Sequence, residues 1–401
     1  MHEESGPAKR PDPGLPLLLG VLVLLGFQLR GPLVALAPVA LEAQRDWGIA
    51  PPAFGVLTSL PLLCFGLTTP LALVLLRRYG VESALLIGLV GVVVATVLRS
   101  FDGYGVALVA SVLLGTAITV GNVLVPALIR RDVPDRGRGP ATGLYTVSLN
   151  VATMLTALAT VPLAALVGWR ASVAGWAVVG ALTIVVWVLV LRPRVAPSPP
   201  RQRRESRPPF FRSLLPWVLT ATFSAQAFSY YGLTTWLPTL LAEERGFDPA
   251  TAGSASSIFQ LAGAVGAIVV PLLALRLKPW QTLGLLGVLW VSLPAGLLLA
   301  PEQFALLSVL GGIAQGGGFA AIFTIVARAG RDAREATALS AFVQTGGYLA
   351  AAVAPPLLGA LRQASGGWTV PVVVVLGTTS AFLAFGLLAA AEVARRLPAR
   401  G

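Results

Sequence analysis

The stretch LPLLLGVLVLLGFQLRGPLVALAPVAL, Leu15 to Leu41, decides how this chain is read. It is apolar over a length that crosses about 30 Å of hydrocarbon, and its single charge, Arg30, stands near the middle. A guanidinium stays protonated and is costly in hydrocarbon. Two readings follow. Arg30 receives an anion or an electron-rich polar solute, or it is a structural tie to backbone carbonyls and helix ends. Snorkelling to an interface is awkward from so central a position. The stretch is too long for a cleavable leader and runs on into Glu42 and Arg45 without a small-residue cleavage site.

Composition generalises the reading. Hydrophobic residues make up 56% of the 401 and charged residues 11%, against roughly 25% charged in soluble domains. Mean hydropathy is +0.81. The chain is therefore expected to be a polytopic membrane protein, all-α. Its net charge of +12 does not imply nucleic acid, because the basic residues are scattered through short connections and form no basic face. One cysteine, Cys64, excludes an internal disulfide and a cysteine metal site. The only histidine, His2, and all 17 Asp and Glu fall in loops or tails on this reading. No acid and base pair, metal site or relayed nucleophile is available to an enzyme, and no cofactor is expected.

Twelve apolar segments are long enough to span: 15–41, 53–76, 82–99, 104–129, 140–167, 170–191, 213–241, 250–275, 280–300, 303–327, 335–361 and 369–391. If the N-terminus is cytoplasmic, 23 Lys and Arg lie in inside connections and tails and 5 in outside ones (Arg45, Arg99, Arg170, Arg245 and Arg362), leaving Arg30 as the intramembrane one. That asymmetry is the positive-inside pattern and places both termini in the cytoplasm. Residues 192–212 are rich in proline and arginine, too polar to span, and divide a six-helix bundle (15–191) from a second (213–391), with cytoplasmic tails at 1–14 and 392–401. Anionic headgroups at the cytoplasmic face are the natural partner of such a basic run.

The halves repeat. Leu36-Ala-Pro38 aligns with Trp236-Leu-Pro238, Gly55 with Gly253, and Gly115 to Gly121 with Gly311 to Gly317. In that register Arg30 corresponds to Tyr230. Two six-helix repeats in the same orientation relate by an axis along the membrane normal and place a solute between them. The glycines fit close helix contact better than a phosphate loop, since no strand precedes them and no lysine follows.

Six plus six helices, the basic central loop and the basic turn Leu76-Arg77-Arg78-Tyr79-Gly80 resemble the major facilitator superfamily. Within it, Gln28-Leu-Arg30-Gly-Pro32, Gly121-Asn122 through Pro126 to Arg130-Arg131-Asp132, and Thr235-Trp236-Leu-Pro238 resemble the cyanate and 2-nitroimidazole transporters. The sequence departs from that family's pattern at Gln28, where an asparagine is usual, and lacks the usual acidic residue in the turn after the second helix. The resemblance implies alternating access and a small anionic, nitro- or azole-like solute.

Other polar residues at mid-depth complete the candidate lining. They are Gln28, Asn122, Tyr145, Asn150, Gln226, Tyr230, Tyr231, Trp236, Gln260, Gln315, Gln344 and Tyr348. Gln226 and Tyr230 share a helix face, as do Gln344 and Tyr348. Each of these groups also suits a tie between helices. The substrate is a small molecule and the expected unit a monomer in the plasma or inner membrane. Proton coupling would fall to a boundary carboxylate such as Glu42 or Asp132. The alternative is a multidrug-type exporter of neutral hydrophobic compounds.

Overall fold

A computed structural model describes residues 15–101, 103–191, 213–274, 276–329 and 333–396. The expected tail 1–14, the linker 192–212 and the final residues 397–401 lie outside the described residues. The described residues form fourteen α-helices: α1 Leu15–Val34, α2 Ala40–Trp47, α3 Pro51–Leu67, α4 Thr69–Leu98, α5 Tyr104–Asp132, α6 Asp135–Val167, α7 Trp169–Leu191, α8 Leu214–Arg245, α9 Pro249–Leu273, α10 Pro279–Leu299, α11 Phe304–Ala329, α12 Ala333–Ala351, α13 Ala354–Ser365 and α14 Thr369–Arg396. Helix α14 thus continues into residues 392–396, expected as tail.

Fourteen helices make twelve crossings because three segments are interrupted. The first breaks after Val34, passes through a 3-10 turn at Ala37–Val39 and resumes as α2. Pro38 cannot donate to the Val34 carbonyl four residues back, which ends the first arm there. The second breaks at Thr68, just before Pro70. The eleventh breaks at Ala352 and Val353, before Pro355 and Pro356. Conversely α4 holds two crossings, reversing at Gly80 (φ 78°, ψ 174°), a left-handed backbone that glycine adopts without strain.

Among the described residues, ten helical stretches are long and apolar enough to cross a membrane. The 32-residue α8 is not among them. It carries Gln226, Ser229, Tyr230, Tyr231, Thr234 and Thr235, so the span with weak hydropathy is one that lines the centre.

Packing follows the sequence repeat. In the first half α1 packs on α6 and α7, α4 on α5 and α7, and α3 on α5. In the second, α8 packs on α12 and α14, α10 on α11 and α14, and α9 on α11, the equivalent pairs. The halves meet along two seams, α6 against α9 and α3 against α12 and α13, which the repeat also exchanges. Glycines permit the closest crossings: a Cβ on Gly316 would overlap the Gly263 carbonyl of α9.

Two charges that the sequence reading placed in loops are buried. Arg99 lies in the connection between α4 and α5, but its side chain turns inward. It is buried (1% exposed), its Nη1 donating to the Pro32 carbonyl at 3.2 Å and its Nη2 to the Leu57 carbonyl at 3.4 Å. Both acceptors need a donor: Pro61 removes the amide that would serve Leu57, and Pro32 lies in the last turn of α1. Arg30 is therefore not the sole interior cation. Glu82 is not in a loop but is buried just beyond the Gly80 corner, paired with Arg131 at the end of α5 (2.9 Å).

Candidate functional site

Arg30 lies four residues before the break in α1 and is half-buried deep inside the protein, so it faces an internal space. Its Nη1 donates to the Tyr231 hydroxyl of α8 at 3.1 Å, across the two halves. That is the only hydrogen bond it makes among the described residues, and no carboxylate there pairs with it. A guanidinium has five N–H donors, so four remain.

Tyrosines surround it. Tyr230 and Tyr348 share its field with Tyr231, and Tyr145 of α6 does so from the first half. Four of the chain's six tyrosines thus converge on one arginine. Tyr230 and Tyr231 meet edge to face at 4.8 Å, and Tyr231 and Tyr348 at 6.4 Å. Phe65 of α3 (5.3 Å) and Phe223 of α8 (5.6 Å) hold the Tyr348 ring. The register sets Tyr230 opposite Arg30, yet its neighbour Tyr231 takes the direct bond. The Tyr230 hydroxyl lies near Thr153 and Thr234 instead.

A narrow cavity begins there. It lies between the halves, with Val34, Ala37 and Pro38 facing Thr234, Leu237 and Pro238, pairs that the repeat superimposes. Thr153, Ser256 and Gln260 complete its polar wall, and Gln260 Nε2 donates to Thr234 Oγ1 at 3.1 Å. Beyond it, toward the end carrying α2, the halves are sealed. Trp236 donates its indole N–H to the Pro355 carbonyl at 2.8 Å and packs on Phe54 at 5.7 Å. A Cβ on Gly55 would stand 2.5 Å from Pro356 N.

At the opposite end the interior is open. Asn122 lies roughly three turns from the α5 terminus that carries Arg130 and Arg131. The outward-facing side of α5 is marked by Val106, Val109, Val112 and Leu113, all exposed. At 100° per residue Asn122 points roughly 150° away from that face, yet it too is exposed. An exposed side chain on the inner face lines a space that reaches solvent.

Several candidates lie outside this space. Gln28, two residues from Arg30 and so roughly 200° around α1, is fully buried against Gly180 of α7 and donates to the Leu89 carbonyl of α4 at 3.4 Å. Gln226 ties α8 to the Gln315 carbonyl of α11 at 2.7 Å, and Gln315 packs on Gly263. Trp236 belongs to the seal. Gln28, Gln226 and Trp236 are ties between helices, because a lone polar group in an apolar bundle is satisfied by a neighbouring carbonyl wherever one is near, while Gln315 contributes its backbone carbonyl. Asn150 and Gln344 bond within their own helices, to the Thr146 carbonyl and to Ser340. The hydroxyls of Thr153, Thr234 and Ser256 were missed by sequence reasoning, and only the register with Val34 singles out Thr234.

An interior polar site between two repeated six-helix halves, closed at one end and open at the other, is that of a membrane transporter. The chain belongs to the major facilitator superfamily, whose family model matches residues 17–303. It is 33% identical to the uncharacterized transporter YycB of Bacillus subtilis (strain 168), over 90% of both chains. To the 2-nitroimidazole transporter of Escherichia coli (strain K12) it is 29% identical, over 93% of this chain and 95% of that one. To the cyanate transport protein CynX of the same organism it is 26% identical, over 88% and 91%. Its fold matches that of a bacterial homolog of the human lysosomal transporter Spinster, with a TM-score of 0.75 at 16% identity over 98% of this chain and 100% of that one.

Proposed function

We propose that this transporter moves a small anionic or polar organic solute, a cyanate-like anion or a nitroimidazole-like compound, by alternating access, with Arg30 as its anchor. The observation that carries the reading is the guanidinium itself. It is half-buried in the interior, bonded to the Tyr231 hydroxyl and near further tyrosines, without a carboxylate partner among the described residues and with one of five donors engaged. An electron-rich group docking there meets a planar fork and a positive field in a medium of low dielectric. The two relatives named for their solutes, 2-nitroimidazole and cyanate, support the same class.

The protein lies in the cell membrane with both termini on the cytoplasmic side, as the loop charges indicate. The cavity past Asn122 then opens inward and the Trp236 seal closes the outer side. It works as a monomer, its basic linker against anionic headgroups. The aromatic wall of Phe223, Phe319 and Phe323, with rings 4.7 to 5.8 Å apart, favours a second reading as an exporter of neutral hydrophobic compounds.

Uptake and melting temperature measured together on Arg30 variants test the proposal. Arg30→Lys keeps the charge but loses the fork, and is expected to lose most transport. Arg30→Gln is expected to lose transport with its melting temperature unchanged or raised, since an intramembrane charge is relieved. A stable Arg30→Gln protein with wild-type uptake would refute the anchor, and retained uptake of neutral compounds alone would support the exporter.

A further inference from the structure

The Oε1 of Gln260 has no hydrogen-bond partner, although the residue is only 4% exposed and lines the cavity between the halves. Gln28, Gln226 and Gln315 also leave Oε1 unpaired, but none of them lines that cavity. A buried amide oxygen without a donor costs about 1–3 kcal/mol. One positioned at a void is relieved by whatever donor enters. The void admits little more than a water-sized group at a time, so an edge of a solute reaches it rather than its bulk. Its link to the anchor runs through Thr234: Gln260 Nε2 donates to Thr234, Thr234 lies near Tyr230, and Tyr230 lies in the field of Arg30.

We propose that this cavity is a second subsite, in which Gln260 Oε1 accepts a hydrogen bond from an N–H or O–H of the solute whose electron-rich group Arg30 holds. The inference rests on the anchoring role of Arg30 and adds to it. The preferred solute is bifunctional, carrying both an acceptor or anionic group and a hydrogen-bond donor. Cyanate offers acceptors alone. 2-Nitroimidazole offers a nitro group and a ring N–H, and its 1-methyl derivative keeps the nitro group and loses the donor. The unmethylated azole is therefore favoured, because only it relieves the amide oxygen, whereas the methyl derivative leaves that oxygen buried and unpaired and puts a methyl group against it.

The test is binding and uptake of these three probes by wild type, Gln260→Leu, Gln260→Met and Arg30→Gln, with melting temperature as the control for folding. Wild type is expected to prefer 2-nitroimidazole over the 1-methyl compound by about tenfold or more. In Gln260→Leu and Gln260→Met that preference should fall below about threefold, with cyanate binding changed less than about twofold. Methionine, close to glutamine in length, guards against a packing defect mimicking the effect. If Arg30→Gln loses both azoles while wild type does not distinguish them, or while the Gln260 variants keep the preference, the subsite is wrong and the anchor stands. If Arg30→Gln binds the azoles as wild type does, or if wild type binds none of the three at millimolar concentration, the anchor falls and the subsite with it.

Discussion

Gly55 lies on the sealed seam, where α3 of one half crosses α13 of the other. An added Cβ there would stand 2.5 Å from Pro356 N and 2.6 Å from both the carbonyl carbon and oxygen of Pro355. These are backbone atoms in a proline pair at a helix start, so no rotamer change relieves the contact. The halves must separate by most of an ångström instead. Overpacking of this kind costs about 1–3 kcal/mol. In a transporter working by alternating access the cost falls only on the state closed at this seam, because the other state has parted it. Gly55→Ala should therefore shift the population toward the outward-open state by a factor of about 5 to 150. The geometry also predicts a graded series. A Cβ on Gly359 meets the Pro51 carbonyl at 2.8 Å and one on Gly253 meets the Ala157 carbonyl at 3.0 Å, so Gly359→Ala and Gly253→Ala should shift it less. A cysteine at Ala157, which lines the sealed cavity, reports the state in a Cys64→Ser background through labelling by a membrane-impermeant maleimide from outside. Faster labelling in the order Gly55, Gly359, Gly253 is the expected result. A folded Gly55→Ala protein labelled at the wild-type rate would refute the reasoning, as would a fall in melting temperature with no gain in labelling.

Arg99 should behave in the opposite way to Arg30. Arg99→Met leaves the Pro32 and Leu57 carbonyls without their donors, and a loss of about 2 kcal/mol or more in thermal unfolding is expected, whereas an unchanged melting temperature would deny it a structural role. Asn122→Cys, in the Cys64→Ser background, should react quickly with an impermeant maleimide from the cytoplasmic side and slowly from outside. Equal rates from both sides would contradict an inward-open cavity. Gln28→Leu, which removes a tie to Leu89 and not a cavity group, should weaken stability modestly while leaving the KM for any transported solute within about twofold, and a selective rise in KM would return Gln28 to the site.

The crossings were legible because hydrophobic length has a physical floor: a segment either spans the hydrocarbon or does not. The repeat was legible because Pro38 and Pro238 lie in register, and the cavity does lie between them. Depth along a helix is what sequence reports. The direction in which a mid-depth group faces is harder, since a helix in lipid is apolar on the lipid side and on the packed side alike, and periodicity carries little contrast. Gln28 and Arg30 have the same depth and nearly opposite faces, so both read as lining. Arg99 failed for a related reason. It ends an apolar run, which looks like a connection, and only the packing of α1 and α3 around it makes that end an interior. Tyr145, Tyr230, Tyr231 and Tyr348 were named separately. That they form one cage around Arg30 follows from how four helices cross, which spacing along the chain does not encode.

The two buried arginines show what distinguishes a structural cation from a binding one. Arg99 is met by acceptors the fold has left short of donors: the Pro32 carbonyl in the last turn of α1 and the Leu57 carbonyl orphaned by Pro61. A cation at a helix C-terminus also meets the negative end of its dipole, so the fold itself supplies most of what the charge needs. Arg30 stands two residues before Pro32 on α1, and its one bond is to a neutral hydroxyl. Nothing among the described residues neutralises it, and it keeps contact with a space open to solvent. Arg99 completes the break in α1 whether or not a solute is present. On the proposed reading, Arg30 is completed only when one arrives. If Arg30 is the binding cation, as proposed, a solute drawn to it arrives beside the part of α1 that leads through the break into the sealed seam.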